Sequence, residues 1–167
     1  AKCKRENRGD EVLVLTKSAD ISYAGCGLPY YVGGSIQDRA ELIVNTPQKY
    51  QGLTGVEVRT LREATHVDPI AKKVTVKNLE NNQEETYSYD KLIIATGASA
   101  VKPPIPGVDL EGVFPMRSPD DATSMREYLT ENQVKKAVVI GGGFIGLELA
   151  ENLYDRGISV TVVELAP

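Results

Sequence analysis

The sequence predicts an α/β fold, and three kinds of stretch along the 167-residue chain predict it together. Apolar, β-branched runs at residues 91–95 and 137–140 are typical of parallel strands buried on both faces. Between these two runs the sequence predicts the start of a helix. The sequence SPDD at residues 118–121 supplies an N-cap serine, a proline at the first helical position and acids in the first turn. The segment at residues 56–97 contains several short strand-like runs that alternate or are apolar, with a polar turn at residues 80–83, and this pattern predicts a β-meander.

The strand at residues 137–140 leads directly into a glycine turn. Gly141, Gly143 and Gly146 occur in the order GxGxxG. In this pattern the first glycine permits a tight turn, the second lets a pyrophosphate reach the backbone, and the third lets the next helix pack closely on the strand. The predicted nucleotide-binding residues of this turn are Gly141, Gly143, Phe144, Ile145 and Gly146.

The segment after the turn completes a βαβ unit. A helix with Ile145, Leu149 and Leu153 on one face is followed by a second strand at residues 158–163. Glu164 ends that strand, at a point where a carboxylate accepts hydrogen bonds from ribose hydroxyls and repels a 2′-phosphate. The sequence therefore predicts an NADH site on the first βαβ unit of an NAD-binding Rossmann domain.

Composition argues against several classes of function. The formal net charge is −4 and no basic stripe offsets it, which argues against a nucleic acid or an anionic membrane as partner. No apolar run approaches the ~20 residues that span a membrane, and we expect a cytoplasmic protein. With one histidine, His66, and two cysteines, Cys3 and Cys26, the sequence predicts no metal site and no disulfide framework. His66 is predicted on a strand surface, and Cys3 is predicted to pack at the inner side of a helix end.

The ends of the chain and a proline-rich linker suggest how its domains are arranged. Residues 1–6 predict the end of a helix before a strand at residues 11–15, and such a helix normally has a preceding strand of its own. A dinucleotide domain also needs more parallel strands than one βαβ unit, so we expect the chain to be a piece of a longer protein. The linker KPPIPG at residues 102–107 excludes helix and central strand. The predicted boundary separates residues 1–112 from residues 113–167.

Cys26 lies in a second glycine-rich stretch, SYAGCGLPYYVGG, at residues 22–34. Its neighbours Gly25 and Gly27 leave the thiol open and let the backbone approach a flat cofactor closely. If a helix begins at Cys26, the free N–H groups of its first turn would stabilise a thiolate. Without a second cysteine nearby, a reactive Cys26 would work through a mixed disulfide with a small thiol or through a sulfenic acid. A buried, inert cysteine is the alternative that this stretch alone leaves open.

Taken in order along the chain, these motifs resemble one family. The stretches SYAGCGLPYYVGG, Thr46-Pro47, YDKLIIATGA, PPIPG and VVIGGGFIGLELAENL are similar to those of the single-cysteine flavoprotein disulfide reductases. That group includes coenzyme A disulfide reductase, NADH oxidase, NADH peroxidase and NADH-dependent persulfide or polysulfide reductases. The resemblance implies a partial FAD-binding Rossmann-like domain with a β-meander at residues 1–112, lacking its first strand and GxGxxG loop. The first βαβ unit of the NAD-binding domain follows at residues 113–167, and the longer protein is expected to be a homodimer.

The resemblance also implies contacts with the flavin. The residues that match the family's flavin contacts are Lys17, Cys26, Ala64, Ala95, Thr96 and Gly97. Cys26 is implied to be the catalytic thiol. The chain departs from the family at Thr16, where an acid usually binds the FAD ribose, so that contact is expected to be weakened or replaced.

A coenzyme A site is implied by a few further matches. Arg5, Ser22 and Cys26 match positions that line it, and Lys2 stands where an amide side chain is usual. The chain also departs at Gly25, where the family usually has an asparagine, and at Thr54, where a lysine can occur. The predicted substrate-binding residues are Lys2, Arg5 and Ser22. Together with Lys4, the two basic residues could hold the phosphates of the coenzyme, and a solvated basic helix face is the alternative.

These inferences lead to a predicted activity with FAD and NADH as cofactors. The longer protein is expected to reduce a small disulfide, persulfide or polysulfide at Cys26, with coenzyme A disulfide favoured. The first alternative is an NADH oxidase that reduces oxygen through a Cys26 sulfenic acid. The second alternative is a flavoprotein electron carrier or a nucleotide-binding module in which Cys26 is inert.

Overall fold

The chain combines helices with both parallel and antiparallel strand pairs, and the α/β fold expected from the sequence is confirmed. The computed structural model describes residues 1–166. In chain order the elements are α1 (Lys2–Glu6), β1 (Leu13–Leu15), β2 (Ser22–Tyr23), α2 (Leu28–Gly33), β3 (Ile43–Asn45), α3 (Pro47–Thr54), β4 (Glu57–Arg59), β5 (Arg62–Asp68), β6 (Lys73–Asn78), β7 (Glu84–Ser88), α4 (Pro119–Glu131), β8 (Lys136–Ile140), α5 (Phe144–Asp155) and β9 (Ser159–Val163).

The chain divides into two compact units. The first contains Ala1–Ser22 and Asn45–Gly97, and the second contains Tyr23–Val44 and the chain from Ala98 onward. Strands β2 and β3 pair with each other. The units do not divide the chain at residues 112 and 113. Because these units reflect which parts of the chain pack together, the predicted domain boundary between residues 112 and 113 stays a prediction.

The first unit consists of a parallel strand pair and an antiparallel meander. Strand β1 pairs with β4 in parallel, with Val14 opposite Val58. Strands β5, β6 and β7 form an antiparallel sheet in that order, and a bulge after Ala64 shifts the register of β5 against β6. Val74 and Val76 of β6 are buried, since alternate residues of a strand point to the same face. This sheet is the predicted β-meander.

The second unit contains three helices and a parallel strand pair. Strands β8 and β9 pair from Lys136 opposite Ser159 to Ile140 opposite Val163. Helix α4 begins as predicted, because the Ser118 hydroxyl accepts from the Asp121 N–H while the Asp121 carboxylate accepts from the Ser118 N–H. One core holds the helices and strands together, and its buried members are Leu28, Tyr31, Val32, Leu42, Ala122, Met125, Leu129, Val139, Leu149, Leu153 and Ile158.

The prediction of a buried parallel strand at residues 91–95 is wrong for this structure. These residues form no strand, and Ile93 and Ile94 are 76% and 74% exposed. An apolar run becomes a central strand only where other strands pair along both of its edges. Among residues 1–166, β1 pairs with β4 alone. Hydrophobicity indicates a preference for burial, but it does not supply the neighbouring strands.

Two side chains are more exposed than their patterns predicted. Cys3 is exposed, because α1 is only five residues long and buries none of them. Ile145 is 60% exposed although Leu149 and Leu153 are buried, because it lies in the first turn of α5, beside the glycine turn. His66 is exposed on β5, so its predicted place on a strand surface is confirmed.

Candidate functional site

The glycine turn between β8 and α5 has the geometry that its spacing predicts. Gly141 has a φ of +106°, a left-handed conformation that favours glycine, and its N–H donates to the Val163 carbonyl at 2.8 Å. A Cβ placed on Gly146 would lie 2.0 Å from the Gly141 carbonyl oxygen and 3.3 Å from Cγ1 of Val139. Only glycine at position 146 therefore lets α5 pack this closely on β8.

Gly143 provides open space at the start of α5. A Cβ placed on it would meet nothing within 4 Å. No side chain in the described part of the chain caps the helix there, so N–H groups of the first turn are available to an anion. Open backbone beside such N–H groups is what the phosphates of a dinucleotide need. The residues of this turn therefore fit a pyrophosphate.

The Glu164 carboxylate is held beside this turn. One oxygen accepts a hydrogen bond from the Gly142 N–H, and the other accepts from the N–H groups of Leu165 and Ala166 at 2.8 and 2.9 Å. These hydrogen bonds, led by that of Ala166, hold the pKa of Glu164 below its usual value. Glu164 is therefore an anionic acceptor next to the turn that fits phosphates.

The Cys26 thiol is exposed in a short turn that is packed on one side and open on the other. Gly25, Cys26 and Gly27 form one turn of 3₁₀ helix directly before α2. A Cβ on Gly27 would lie 3.0 Å from Cδ2 of Leu42 and 3.3 Å from Cδ1 of Ile36, whereas a Cβ on Gly25 would meet nothing within 4 Å. A small molecule can therefore approach the thiol from the side of Gly25.

Tyr30 and Glu148 lie near Cys26, and sequence reasoning did not identify them. Tyr30, on α2, is 41% exposed. The negative charge of Glu148 on α5 raises the pKa of Tyr30, and burial, a hydrogen bond from Tyr30 to Glu148, and the charges of Glu151 and Cys26 raise it further. For Tyr30, the four-residue spacing from Cys26 could have indicated the neighbourhood, because residues four apart on a helix lie on the same face. Glu148 carried no such signal, because folding alone brings it to Tyr30.

Apart from Cys26, the residues predicted to contact a flavin belong to the first unit. Lys17 Nζ is 3.8 Å from Oε1 of Glu63, which brings Lys17 to the strand that carries Ala64. Residues 95–97 are exposed and lie outside any strand, with Gly97 at a φ of +72°. The structure thus brings Lys17 near Ala64, and the roles of these residues stay predictions.

The basic side chains of α1 are only partly available to phosphates. Lys4 donates its ammonium group to two backbone carbonyls of the loop after α1, at 3.1 and 2.6 Å. These hydrogen bonds tie the Lys4 ammonium group to the loop after α1, so it is less available to bind a phosphate. Lys2 forms an ion pair with Glu6 one turn later, Arg5 is exposed, and Ser22 is half-buried in β2. The substrate contacts of Lys2, Arg5 and Ser22 stay predictions.

Two kinds of feature are absent from residues 1–166. No group of three or more His, Cys, Asp or Glu side chains there could hold a metal ion. Within the same residues, no helix is both long enough and apolar enough to cross a membrane.

The fold places this chain in the Rossmann-like α/β class. The chain belongs to the pyridine nucleotide-disulphide oxidoreductase family, whose sequence profile matches residues 1–167. The family resemblance drawn from the motifs is thereby confirmed.

Three similar proteins illustrate the family. An NADH oxidase of Methanocaldococcus jannaschii is 38% identical over 164 residues, which are 98% of this chain and 36% of the relative. A coenzyme A disulfide reductase of Staphylococcus haemolyticus is 34% identical over 160 residues, which are 96% of this chain and 36% of the relative. The crystal structure of reduced Bacillus anthracis CoADR-RHD superposes with a TM-score of 0.95 at 38% identity, covering 99% of this chain and 30% of that one. The chain thus spans about a third of the length of the curated relatives it matches.

Proposed function

We propose that the full-length protein is an FAD- and NADH-dependent oxidoreductase that reduces a small disulfide, persulfide or polysulfide at Cys26. Coenzyme A disulfide is the favoured substrate. The observation that carries the proposal is the exposed Cys26 thiol in a turn left open on the side of Gly25. Support comes from the family and from a relative named coenzyme A disulfide reductase.

The second unit supplies the binding site for NADH. The first-turn N–H groups of α5 bind the pyrophosphate, and the open space at Gly143 lets the phosphates reach the backbone. The Glu164 carboxylate accepts hydrogen bonds from the ribose hydroxyls, because two of its three N–H donors lie on one oxygen and leave the other partly available. Phe144, which is 92% exposed, and Ile145 form the surface of the turn that the nucleotide covers.

The first unit supplies the residues that hold FAD. Lys17, Ala64 and residues 95–97 contact the flavin, since all of them are exposed and Lys17 lies beside the strand of Ala64. Thr16 offers a hydroxyl rather than a carboxylate to the ribose. The two cofactors, when bound, supply the hydride and deliver its electron pair to an oxidised sulfur.

Cys26 provides the nucleophile for the sulfur chemistry. Its thiolate attacks one sulfur of a disulfide RSSR, so that a bond forms between Cys26 and that sulfur while the S–S bond breaks and RS⁻ leaves. Two electrons then cleave the new mixed disulfide and restore the Cys26 thiolate with release of a second RS⁻. The balance is one NADH, one proton and one disulfide in, and NAD⁺ and two thiols out. No second cysteine is needed for this cycle.

An NADH oxidase is the second candidate function. The relative from M. jannaschii bears that name and is 38% identical. In this reaction Cys26 would cycle through a sulfenic acid, and oxygen rather than a disulfide would be reduced. An electron carrier with an inert Cys26 is the remaining alternative. For the whole protein we also propose a homodimer in the cytoplasm.

Replacement of Cys26 by serine tests the proposal. Serine keeps the size of the side chain but presents a hydroxyl that stays neutral, so the full-length variant should lose disulfide reduction while NADH still reduces its flavin. Cys3→Ser is the matched control, because Cys3 is also exposed, and it should retain activity within about twofold. Full disulfide turnover by Cys26→Ser would contradict the proposed mechanism.

A second measurement separates the two redox candidates. Mass spectrometry of the unreduced protein should find Cys26 carrying a small thiol in a mixed disulfide. A sulfenic acid, or its dimedone adduct, at Cys26 together with oxygen consumption would favour the oxidase. An unmodified Cys26 whose alkylation leaves turnover unchanged would favour the electron carrier.

A further inference from the structure

Helix α5 links the glycine turn to the helix that follows Cys26. At its first turn α5 is fixed by Gly146, where any Cβ would collide with the Gly141 carbonyl. Two turns later α5 meets the end of α2. There a Cβ placed on Gly33 would lie 2.8 Å from both Cβ and Oδ1 of Asn152 and 3.0 Å from its carbonyl oxygen. Gly33 therefore allows the two helices to approach more closely than any side chain would permit.

The α5 side of this contact is rigid. Asn152 is 6% exposed, and its Nδ2 donates to the Glu148 carbonyl at 2.8 Å, so its side chain cannot turn away from Gly33 without losing a hydrogen bond. One turn further on, Arg156 donates to the Val32 carbonyl at 2.7 Å and to the Thr130 hydroxyl at 2.6 Å. The first of these bonds holds the last turn of α2 against α5, and the second joins α5 to α4.

The α2 side connects this contact to the thiol. Helix α2 has six residues and follows directly after the turn that contains Cys26. Leu28 in its first turn and Val32 in its last are both buried in the core, so a shift at one end of this short helix disturbs the packing at its other end. A displacement at Gly33 is therefore passed to Cys26, seven residues earlier in the chain.

We propose that Gly33 and Asn152 are positioning residues that fix Cys26 relative to the nucleotide-binding end of α5. The inference rests on the proposed function, because it holds that this contact sets the distance between the bound nucleotide and the Cys26 thiol. A methyl group at position 33 would lie 2.8 Å from the Asn152 side chain, whereas ordinary van der Waals contact begins at 3.4 Å, so α2 or α5 has to shift to accept it. Displacements of this order near a reacting group cost up to about a hundredfold in rate.

The test uses the full-length holoenzyme with Gly33→Ala. We expect kcat for disulfide reduction to fall by about tenfold or more while the KM for NADH stays within about twofold, because the glycine turn itself is unchanged. The rate of Cys26 alkylation by iodoacetamide should change by more than about threefold. Gly52→Ala is the matched control, since Gly52 also lies in a helix and a Cβ there would meet nothing within 4 Å. It should leave both rates unchanged.

A second-site change distinguishes positioning from loss of stability. In Gly33→Ala/Asn152→Gly two of the three close contacts are removed, so the alkylation rate should return toward the wild-type value even though glycine lowers helix stability. Asn152→Ala, which removes the amide group packed against Gly33, replaces Gly33→Ala if that variant does not fold, and it should also change the alkylation rate of Cys26.

The outcomes are separable from those of the proposed function. Alkylation of Cys26 needs no turnover, so it reports the position of the thiol even if Cys26→Ser shows that the proposed reaction is wrong. Variants that lower only the unfolding temperature, with wild-type alkylation and kcat, would overturn the positioning role. Failure of the second-site change to restore the alkylation rate would also overturn it.

Discussion

The Glu164 carboxylate accepts a hydrogen bond from the backbone N–H of Gly142, which lies 22 residues earlier in the chain. This bond joins the end of β9 to the turn between β8 and α5. The acid that would bind a ribose and the turn that would bind phosphates are thus positioned by one contact. Parallel pairing of Ile140 with Val163 at the ends of the two strands makes this contact possible.

Glu164 leads us to predict a preference for NADH over NADPH. Its charge would repel a 2′-phosphate, and we expect kcat/KM to favour NADH by about ten- to a hundredfold. Glu164→Gln removes the charge but keeps an acceptor oxygen, so the preference should shrink in that variant. Steady-state kinetics of the full-length enzyme with each nucleotide measure this, and equal use of both by the wild type would show that the assignment is wrong.

The same carboxylate should make the glycine turn sensitive to acid. Because folding lowers the pKa of Glu164, its hydrogen bonds stabilise the turn fully above the unfolded value of 4.5 and are lost as the pH falls through the folded pKa. The stability difference between wild type and Glu164→Gln should therefore shrink below about pH 4.5. Urea unfolding of both proteins over a series of pH values checks this. A difference independent of pH would contradict it.

Two glycines of the turn should respond differently to the same substitution. Gly146→Ala should destabilise or unfold the second unit, because the methyl group would lie 2.0 Å from a carbonyl oxygen. Gly143→Ala should fold normally, since there is open space and φ is −72°, but it should weaken NADH binding by about tenfold or more where the phosphates approach. Circular dichroism melting and NADH titration separate the two effects. Equal affinity of Gly143→Ala and wild type would argue against phosphates at this position.

The pair of Tyr30 and Glu148 offers a test of the geometry next to Cys26. The charge of Glu148 is the largest cause that raises the pKa of Tyr30, so Glu148→Gln should lower that pKa toward its usual value. Nuclear magnetic resonance titration of ¹³C-labelled tyrosine resolves Tyr30 from the other seven tyrosines. Glu127→Gln, which alters an acid on α4, is the control. An unchanged Tyr30 titration in Glu148→Gln would show that the two side chains do not interact.

The 167-residue chain purified alone should carry neither FAD nor NAD. Its sequence contains a single GxGxxG motif, whereas the family resemblance implies one for each dinucleotide. Lys17, Ala64 and residues 95–97 can contact a flavin but offer few N–H groups for two phosphates. The preparation should therefore be colourless. A visible absorbance band of bound flavin would contradict this expectation.

Features that depend on local spacing could be predicted from the sequence. The order of Gly141, Gly143 and Gly146 specifies a turn, an open approach and a close helix contact, and each appears in the structure at the expected glycine. The helix start at Ser118 was predictable for the same reason, because its capping partners lie three residues apart.

Features that depend on distant partners required the tertiary structure. Residues 91–95 have the composition of a central strand, yet strands on both edges are needed to make them one, and composition cannot show whether those strands are in place. Position 33 is one of fifteen glycines in the sequence. Only the packing of α2 on α5 shows that its missing side chain makes room for Asn152, because the two residues are 119 positions apart and no local pattern connects them.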